Sequence, residues 1–170
     1  MIEEISRKYL EIKSINYLKE AQKPSKNFSL SFTKLNDFQL NKFFYKQIGK
    51  KYHWIDRLIW TGQNWTNYVS DKNLSTYVLK NGEDLVGYYE LIFDEKRQEA
   101  EIAYLGVLEE YFGKKLGGFL LSDAIKKSFF LGAKRVWVHT CSSDHRNALK
   151  NYLSRGMKVF KSEILKREIA

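Results

Sequence analysis

The sequence predicts a mixed α/β fold: one sheet of mostly antiparallel strands with helices packed on its faces. Three observations predict it. From Ser75 onward the apolar pattern reads strand, strand, strand, helix, strand, helix, strand. The first three of these strands are joined by short turns, "NG" at Asn81-Gly82 and "DEKR" at Asp94 to Arg97, as hairpins require. The later strands are separated by helical stretches long enough to serve as crossovers.

Composition supports a globular chain. The 170 residues fit one domain, residues 1–170, with 1–50 as an N-terminal elaboration of strand and helix. Apolar residues make up 44% and aromatics 15%, which excludes a disordered chain. The formal charge of +9 and the pI of about 9.4 point to an anionic partner such as nucleic acid, an acidic membrane or a phosphorylated cofactor, or else to a lysine-rich solvated surface. The lysine doublets Lys50-Lys51, Lys114-Lys115 and Lys126-Lys127 are dispersed rather than gathered in a run. Cys141 is the single cysteine, so no intramolecular disulfide and no cysteine metal cluster forms. No apolar run reaches the roughly 20 residues of a membrane span, and the charged N-terminus has no signal-peptide core. The expected compartment is the cytoplasm.

In chain order, "RKYLEIKS" fits either a strand or a helix end, and periodicity does not decide. "EAQKPSKN", Glu20 to Asn27, holds the only proline and is a surface loop. "FSLSFTKL" alternates Phe28, Leu30 and Phe32 as a half-buried strand does. Asp37 to Ile48 sets Phe38, Phe44, Tyr45 and Ile48 at helical spacing and is expected to stop at Gly49. "NWTNYVSD" is a further short helix. "STYVLK", "DLVGYYELIF" and "QEAEIAYLGVL" are the meander strands. A helix over about Lys115 to Leu131 points Leu116, Phe119, Leu120, Ala124 and Ile125 inward and ends at Gly132. "RVWVHTC" is a buried strand, "HRNALKNYLSR" a helix closed by Gly156, and "MKVFKSEILKREI" one or two last strands.

The strand-to-helix corner carries the chemistry. Between "EIAYLGVL" and the helix stand Gly113, Gly117, Gly118 and the pair Lys114-Lys115. A helix start offers unsatisfied N–H groups and about half a positive charge, and glycine lets a ligand approach the backbone. Phosphate suits such a corner, although a tight turn that binds nothing has the same spacing. The G-x-x-x-x-G-K-[ST] pattern of a P-loop is missing. Nor do the glycines fit G-x-G-x-x-G, and "RVWVHTC" supplies no acid for a ribose, so NAD is disfavoured.

The stretches "EAEIAYLGVLEEYFGKKLGGFLL" and "RVWVHTCSSDHRNALKNYLSRGMKVF" resemble the GNAT superfamily of acetyl-CoA-dependent N-acetyltransferases. The family's phosphate motif [QR]-x-x-G-x-[GA] falls on Phe112, Gly113, Lys114, Lys115, Leu116 and Gly117, followed by Gly118. Phe112 stands where Gln or Arg is usual, and Lys115 where Gly is usual. The motif N-x-x-x-x-Y-x-x-x-G-[FM] is met by Asn147, Tyr152, Gly156 and Met157. The resemblance is strong from about Gln98 to Phe160, moderate over 51–97 and faint before that. A bacterial subgroup with W-x-D-R…W and H-T-C-x-x-D-H segments is matched at Trp54, Asp56, Arg57, Trp60 and His139 to His145.

The resemblance implies a twisted, mostly antiparallel sheet of six or seven strands, splayed in a V between the fourth and fifth, with helices on both faces. It implies acetyl-CoA as co-substrate and no metal. Leu105 and Val107 would bind the pantetheine arm through their backbones. Phe112, Gly113, Lys114, Lys115, Leu116, Gly117 and Gly118 would form the phosphate loop, and Asn147 would contact the coenzyme or cap its helix. Glu101, eleven positions before Phe112, matches a general base, and a carboxylate among apolar neighbours titrates closer to neutrality. A solvated strand glutamate has the same spacing. Tyr152 matches a general acid, with a core tyrosine as the alternative. Trp54, Asp56, Arg57, Trp60 and His139 would line the acceptor pocket, Asp56 attracting a cationic amine; a packed aromatic cluster around Arg57 and a hydrogen-bonded core histidine are the alternatives.

The expected activity is transfer of acetyl from acetyl-CoA to a primary amine by direct attack in a ternary complex. The partner would be a small-molecule or peptide amine, met by a monomer or homodimer, with no membrane. A non-catalytic acyl-CoA-binding module is the alternative class. A nucleic-acid-binding protein would require basic and aromatic residues on one exposed face, and no such motif is present.

Overall fold

The computed structural model describes residues 1–33 and 37–168. Seven strands form one sheet: β1 (Ile2–Ile12), β2 (Phe28–Thr33), β3 (Leu74–Asn81), β4 (Asp84–Asp94), β5 (Glu99–Val107), β6 (Arg135–Cys141) and β7 (Lys158–Glu168). Four α-helices accompany them: α1 (Gln39–Gly49), α2 (Gly62–Val69), α3 (Leu116–Phe130) and α4 (Ala148–Ser154). The strand order is β2-β3-β4-β5-β6-β1-β7. Every pairing is antiparallel except β5 with β6, where α3 supplies the crossover a parallel pair needs.

Alternation along the strands sorts side chains between two faces. Leu10, Ile12, Ala100, Ile102, Val136 and Val138 point to one face and pack against Leu116, Leu120, Leu121, Ala124 and Ile125 of α3 and Tyr152 of α4. On the other face Val78 and Tyr88 pack against Phe44 and Ile48 of α1. Helices therefore cover both faces, but α1 and α2 cover only the β3–β4–β5 half of theirs. The β5–β6–β1–β7 half of that face carries Glu101, Trp137, His139, Tyr9 and Lys161 on neighbouring rungs.

The N-terminal segment is a strand, resolving the open choice there. It enters the sheet between β6 and β7, antiparallel to both. After a short 3-10 turn at Ile15–Tyr17 the chain crosses α4 and α3 as a strap. The Lys19 N–H donates to Arg155 O at 2.9 Å, the Ala21 N–H to Ser122 Oγ at 2.9 Å, and Glu20 pairs with Lys126. The expected strand at 28–35 is observed over Phe28–Thr33; Lys34 and Leu35 lie outside the described residues, as does Ile169 at the end of the last strand.

α1 stops at Gly49, as expected, and the glycine there does not have a positive φ. A Cβ there would lie 2.5 Å from Cβ of Trp54, so close approach of the tryptophan is what requires glycine. The chain turns over residues 56–59, between Trp54 and Trp60.

Candidate active site

β5 and β6 share only three rungs, Glu99–Arg135, Ala100–Val136 and Glu101–Trp137. Beyond them the strands part. From Ile102 to Val107, β5 keeps its ladder to β4 but has no partner strand on its β6 side. Unpaired strand backbone needs hydrogen-bonding partners, and this stretch offers them to an extended ligand lying in the V. Leu105 and Val107 lie on this stretch.

At the far end of β5 a 3-10 turn over Glu109–Tyr111 leads into Phe112-Gly113-Lys114-Lys115 and then α3. Gly113 (φ 78°) and Lys115 (φ 60°, ψ 22°) both adopt the left-handed conformation. That accounts for the glycine usual at position 115: the turn needs positive φ, and lysine meets it at a cost of about 1–2 kcal/mol. Lys115 is the N-cap of α3, makes no side-chain cap bond, and no acid stands in the first turn. The first amides of α3 are therefore uncapped and available to an anion. A Cβ on Gly113 would meet nothing within 4 Å, and one on Gly117 would meet only Nδ2 of Asn151 at 3.6 Å, so both glycines face open space. Gly118 differs. A Cβ there would fall 2.8 Å from Nη1 of Arg155 and 3.1 Å from Cβ of Ala21, so its glycine serves helix and strap packing. Leu116 turns its side chain into the core and has only backbone to offer. Gln22, Lys23 and Pro24 of the strap join Lys114 and Lys115 around a cavity of about 220 Å³. Among the described residues none of these three lysines is in an ion pair. Lys23 was missed by sequence reasoning; it lies 91 positions before Lys114, and that separation leaves no local signal.

Phe112, 40% exposed, sets its ring edge-on to His145 at 5.2 Å, and His145 meets Tyr52 at 5.8 Å. This contact joins the β5 arm to the β6–α4 loop. Nδ1 of His145 accepts the Asn147 N–H at 3.0 Å. The Asn147 side chain makes no cap bond and stays exposed.

At the vertex of the V, Glu101 is half-buried on the face away from α3. Burial raises its pKa, partly offset by the charge of Arg57. It lines a cavity of about 340 Å³ with Tyr9, Ile92, Trp137, Phe160 and several charged residues. Tyr152 is buried among core residues of α3 and β6; burial, then the charge of Asp144, pushes its pKa up, so the phenol stays protonated at neutral pH. Asp144 itself accepts from the Thr140 hydroxyl at 2.7 Å and the Cys141 N–H at 2.8 Å.

His139 is half-buried with Nδ1 unpartnered, and burial, then Arg7, lowers its pKa, which favours the neutral ring. Asp56 is exposed and near enough for its charge to act on His139 and Tyr104. Trp54 packs on Tyr104 (4.8 Å) and Tyr45 (5.7 Å), and Trp60 on Trp65 (4.9 Å) and Tyr68 (5.4 Å).

Arg57 is buried. It is 6% exposed, its Nη1 donates to both Glu90 oxygens at 2.9 and 3.2 Å, and its Cζ stands 4.1–5.6 Å from the rings of Tyr45, Trp60, Trp65, Tyr68 and Tyr104. Tyr68 donates to Glu90 as well, at 2.9 Å. Arg57 therefore ties the 56–59 turn to the sheet, and Glu90 is its missed partner. The signal for Glu90 was an acid within the otherwise apolar "VGYYELIF".

Among the described residues no group of three or more His, Cys, Asp or Glu could hold a metal ion, and no helix is long and apolar enough to cross a membrane.

Solved structures share this architecture. A GCN5-related N-acetyltransferase from Sphaerobacter thermophilus superposes with a TM-score of 0.68 at 14% identity, over 96% of this chain and 51% of that one. A tandem GNAT protein from the clavulanic acid biosynthesis pathway gives 0.64 at 10% identity, over 95% and 53%. An aminoglycoside acetyltransferase from an uncultured soil metagenomic sample gives 0.62 at 16% identity, over 75% and 86%. The chain thus spans about half the length of the first two, and at these identities the likeness concerns the fold alone. No curated protein matches the chain. The Acetyltransferase (GNAT) family model matches residues 35–157, from before α1 to the end of the α4 motif. The chain belongs to the GNAT acetyltransferase family.

Proposed function

We propose that this chain moves an acetyl group from acetyl-CoA to a primary amine, both bound together, with no metal and no covalent enzyme intermediate. The observation that carries the reading is the unpaired backbone of Ile102–Val107 opening between Glu101 at one end and the uncapped start of α3 at the other.

The residues present fit the coenzyme. Amides of α3 at Gly117 and the side chains of Lys114, Lys115 and Lys23 would hold the phosphates. The backbone at Leu105 and Val107 would hold the pantetheine arm, and Asn147 would reach the coenzyme from the opposite arm. Glu101, its pKa raised, takes a proton from the bound ammonium directly or through a water, leaving a neutral amine. The amine nitrogen attacks the thioester carbon. A β5 backbone N–H donates to the oxygen that gains charge. As the C–S bond breaks, the Tyr152 phenol donates to the departing thiolate. The products are the amide and free CoA thiol. The ammonium gives up two protons in all: the first passes through Glu101 to solvent, and the second, lost as the attacking nitrogen becomes the amide, replaces the one Tyr152 delivers to sulfur.

Asp56 and His139 belong to the acceptor side in this reading. Trp54 and Trp60 shape it through packing, and Arg57 acts by holding Glu90 and by its charge on Glu101. The test is release of CoA thiol from acetyl-CoA with a panel of amines, beside calorimetry with acetyl-CoA alone. Turnover with at least one amine is expected. Coenzyme binding without turnover would instead make the chain an acyl-CoA-binding module.

A further inference from the structure

The cavity beside Glu101 has a composition that selects among amines. Its floor is the uncovered face of the sheet: Ile92 of β4, Glu99 and Glu101 of β5, Arg135 and Trp137 of β6, and Tyr9 of β1. At about 340 Å³ it is at the small end of the range for small-molecule pockets.

Three acids line it, and two are already matched. Asp94 accepts the N–H groups of Lys96 and Arg97 at 3.0 and 3.1 Å, with the Arg97 guanidinium at 3.9 Å. Glu99 pairs with Arg135 at 3.3 Å. Glu101 has no ion-pair or hydrogen-bond partner among the described residues. The three bases of the lining, Arg97, Arg135 and Lys161, each have an acid: Asp94, then Glu11 with Glu99, then Glu163 at 3.7 Å. Among the described residues the lining thus has one unmatched charge, the Glu101 carboxylate, and no free acid for a second ammonium.

Aromatic surface supplies the rest. The Tyr9 and Trp137 rings lie 6.4 Å apart at 30°, and Phe160 stands 6.1 Å from Tyr9. Together with Ile92 they form an aromatic wall next to the carboxylate, with the Lys161 ammonium 4.9 Å over the Tyr9 ring and the Arg135 guanidinium 4.5 Å over Phe160, so among the described residues the indole of Trp137 is the ring no cation covers. A flat ring buried on that wall, with an ammonium on a short arm reaching Glu101, satisfies both features.

We infer that the acceptor is a primary monoamine with an aromatic body, its ring on Tyr9, Trp137 and Phe160 and its ammonium at Glu101. The inference rests on the transferase reading above and names its acceptor class. A polycation such as an aminoglycoside finds no free acid there for its further ammonium groups and is a poor acceptor.

The test compares tryptamine and phenylethylamine with hexylamine, spermidine and an aminoglycoside in the thiol-release assay. The arylalkylamines are expected to exceed the polycations at least tenfold in kcat/KM, and hexylamine severalfold. Trp137→Leu is expected to raise the arylalkylamine KM about tenfold with a smaller change in kcat. Phe160→Ala, at a ring 43% exposed on the edge strand, gives the same direction without endangering the fold. Polycations preferred over arylalkylamines, or a KM unmoved by both variants, overturns the inference and leaves the transferase reading standing. If acetyl-CoA binds and no amine turns over, the transferase reading fails. Titration of tryptamine into the acetyl-CoA-loaded protein then decides the site: heat that Phe160→Ala weakens upholds it, and no heat overturns it.

Discussion

Glu101 and Trp137 face each other on the last rung that β5 and β6 share, so the candidate base and the largest aromatic of the open face stand together at the vertex of the splay. Above this rung β5 has no β6 partner; below it the sheet is closed.

Burial raises the Glu101 pKa, so its carboxylate forms at higher pH than an ordinary glutamate's. Glu101→Gln is expected to lower kcat by about 10²–10⁴-fold. It should also abolish the acidic limb of the kcat/KM–pH profile. Stability gives an independent readout. A carboxyl whose folded pKa is raised contributes most below its unfolded pKa, and that contribution is lost as pH rises through the folded value. Wild type should therefore lose stability relative to Glu101→Gln on going from acid to neutral pH, measured as urea midpoints across the range.

Removing one member of the buried Arg57–Glu90 pair strands the other. Arg57→Met or Glu90→Gln is expected to cost about 3–5 kcal/mol of unfolding free energy. The double replacement Arg57→Met/Glu90→Gln should cost less than the sum of the single changes. Chemical denaturation of the four proteins checks this.

Lys115 holds a left-handed conformation in an exposed turn. Lys115→Gly should stabilise the protein by up to about 1 kcal/mol, since relief of backbone strain outweighs the greater chain entropy of glycine. A thermal melt reads the change. The same variant should weaken acetyl-CoA binding by no more than severalfold, because the α3 amides remain.

Tyr152→Phe keeps the ring in the core and removes the donor. The expectation is a kcat about 10–100-fold lower, an acetyl-CoA dissociation constant within threefold of wild type, and stability changed by about 1 kcal/mol or less. Steady-state kinetics beside calorimetry separates the acid role from a packing role.

The β3-to-β7 order was legible because short turns and apolar runs mark the strands: β6 alternates, with Val136, Val138 and Thr140 turned inward, and β4 is a continuous buried run from Val86 to Leu91. β1 was ambiguous for a physical reason. A register shift between Tyr9 and Leu10 breaks its alternation, so its buried residues, Ile5, Leu10 and Ile12, fit neither period. The anion corner was legible from its glycines and lysines. The roles at 54–60 were not: Arg57 finds its partner Glu90 33 residues away, and only the folded sheet brings five rings around it. Tyr9 and Lys23 enter the candidate sites by long-range topology, through a strand inserted beside β6 and a strap across α3, neither of which leaves a local pattern.

The most direct test of coenzyme binding at the β5–α3 corner is calorimetric titration of acetyl-CoA into the wild-type protein and into Lys114→Glu/Lys115→Glu. One site per chain is predicted, with affinity roughly 10–100-fold weaker in the double variant and falling as salt rises. No binding to the wild type at two temperatures, or equal affinity in both proteins, would contradict it.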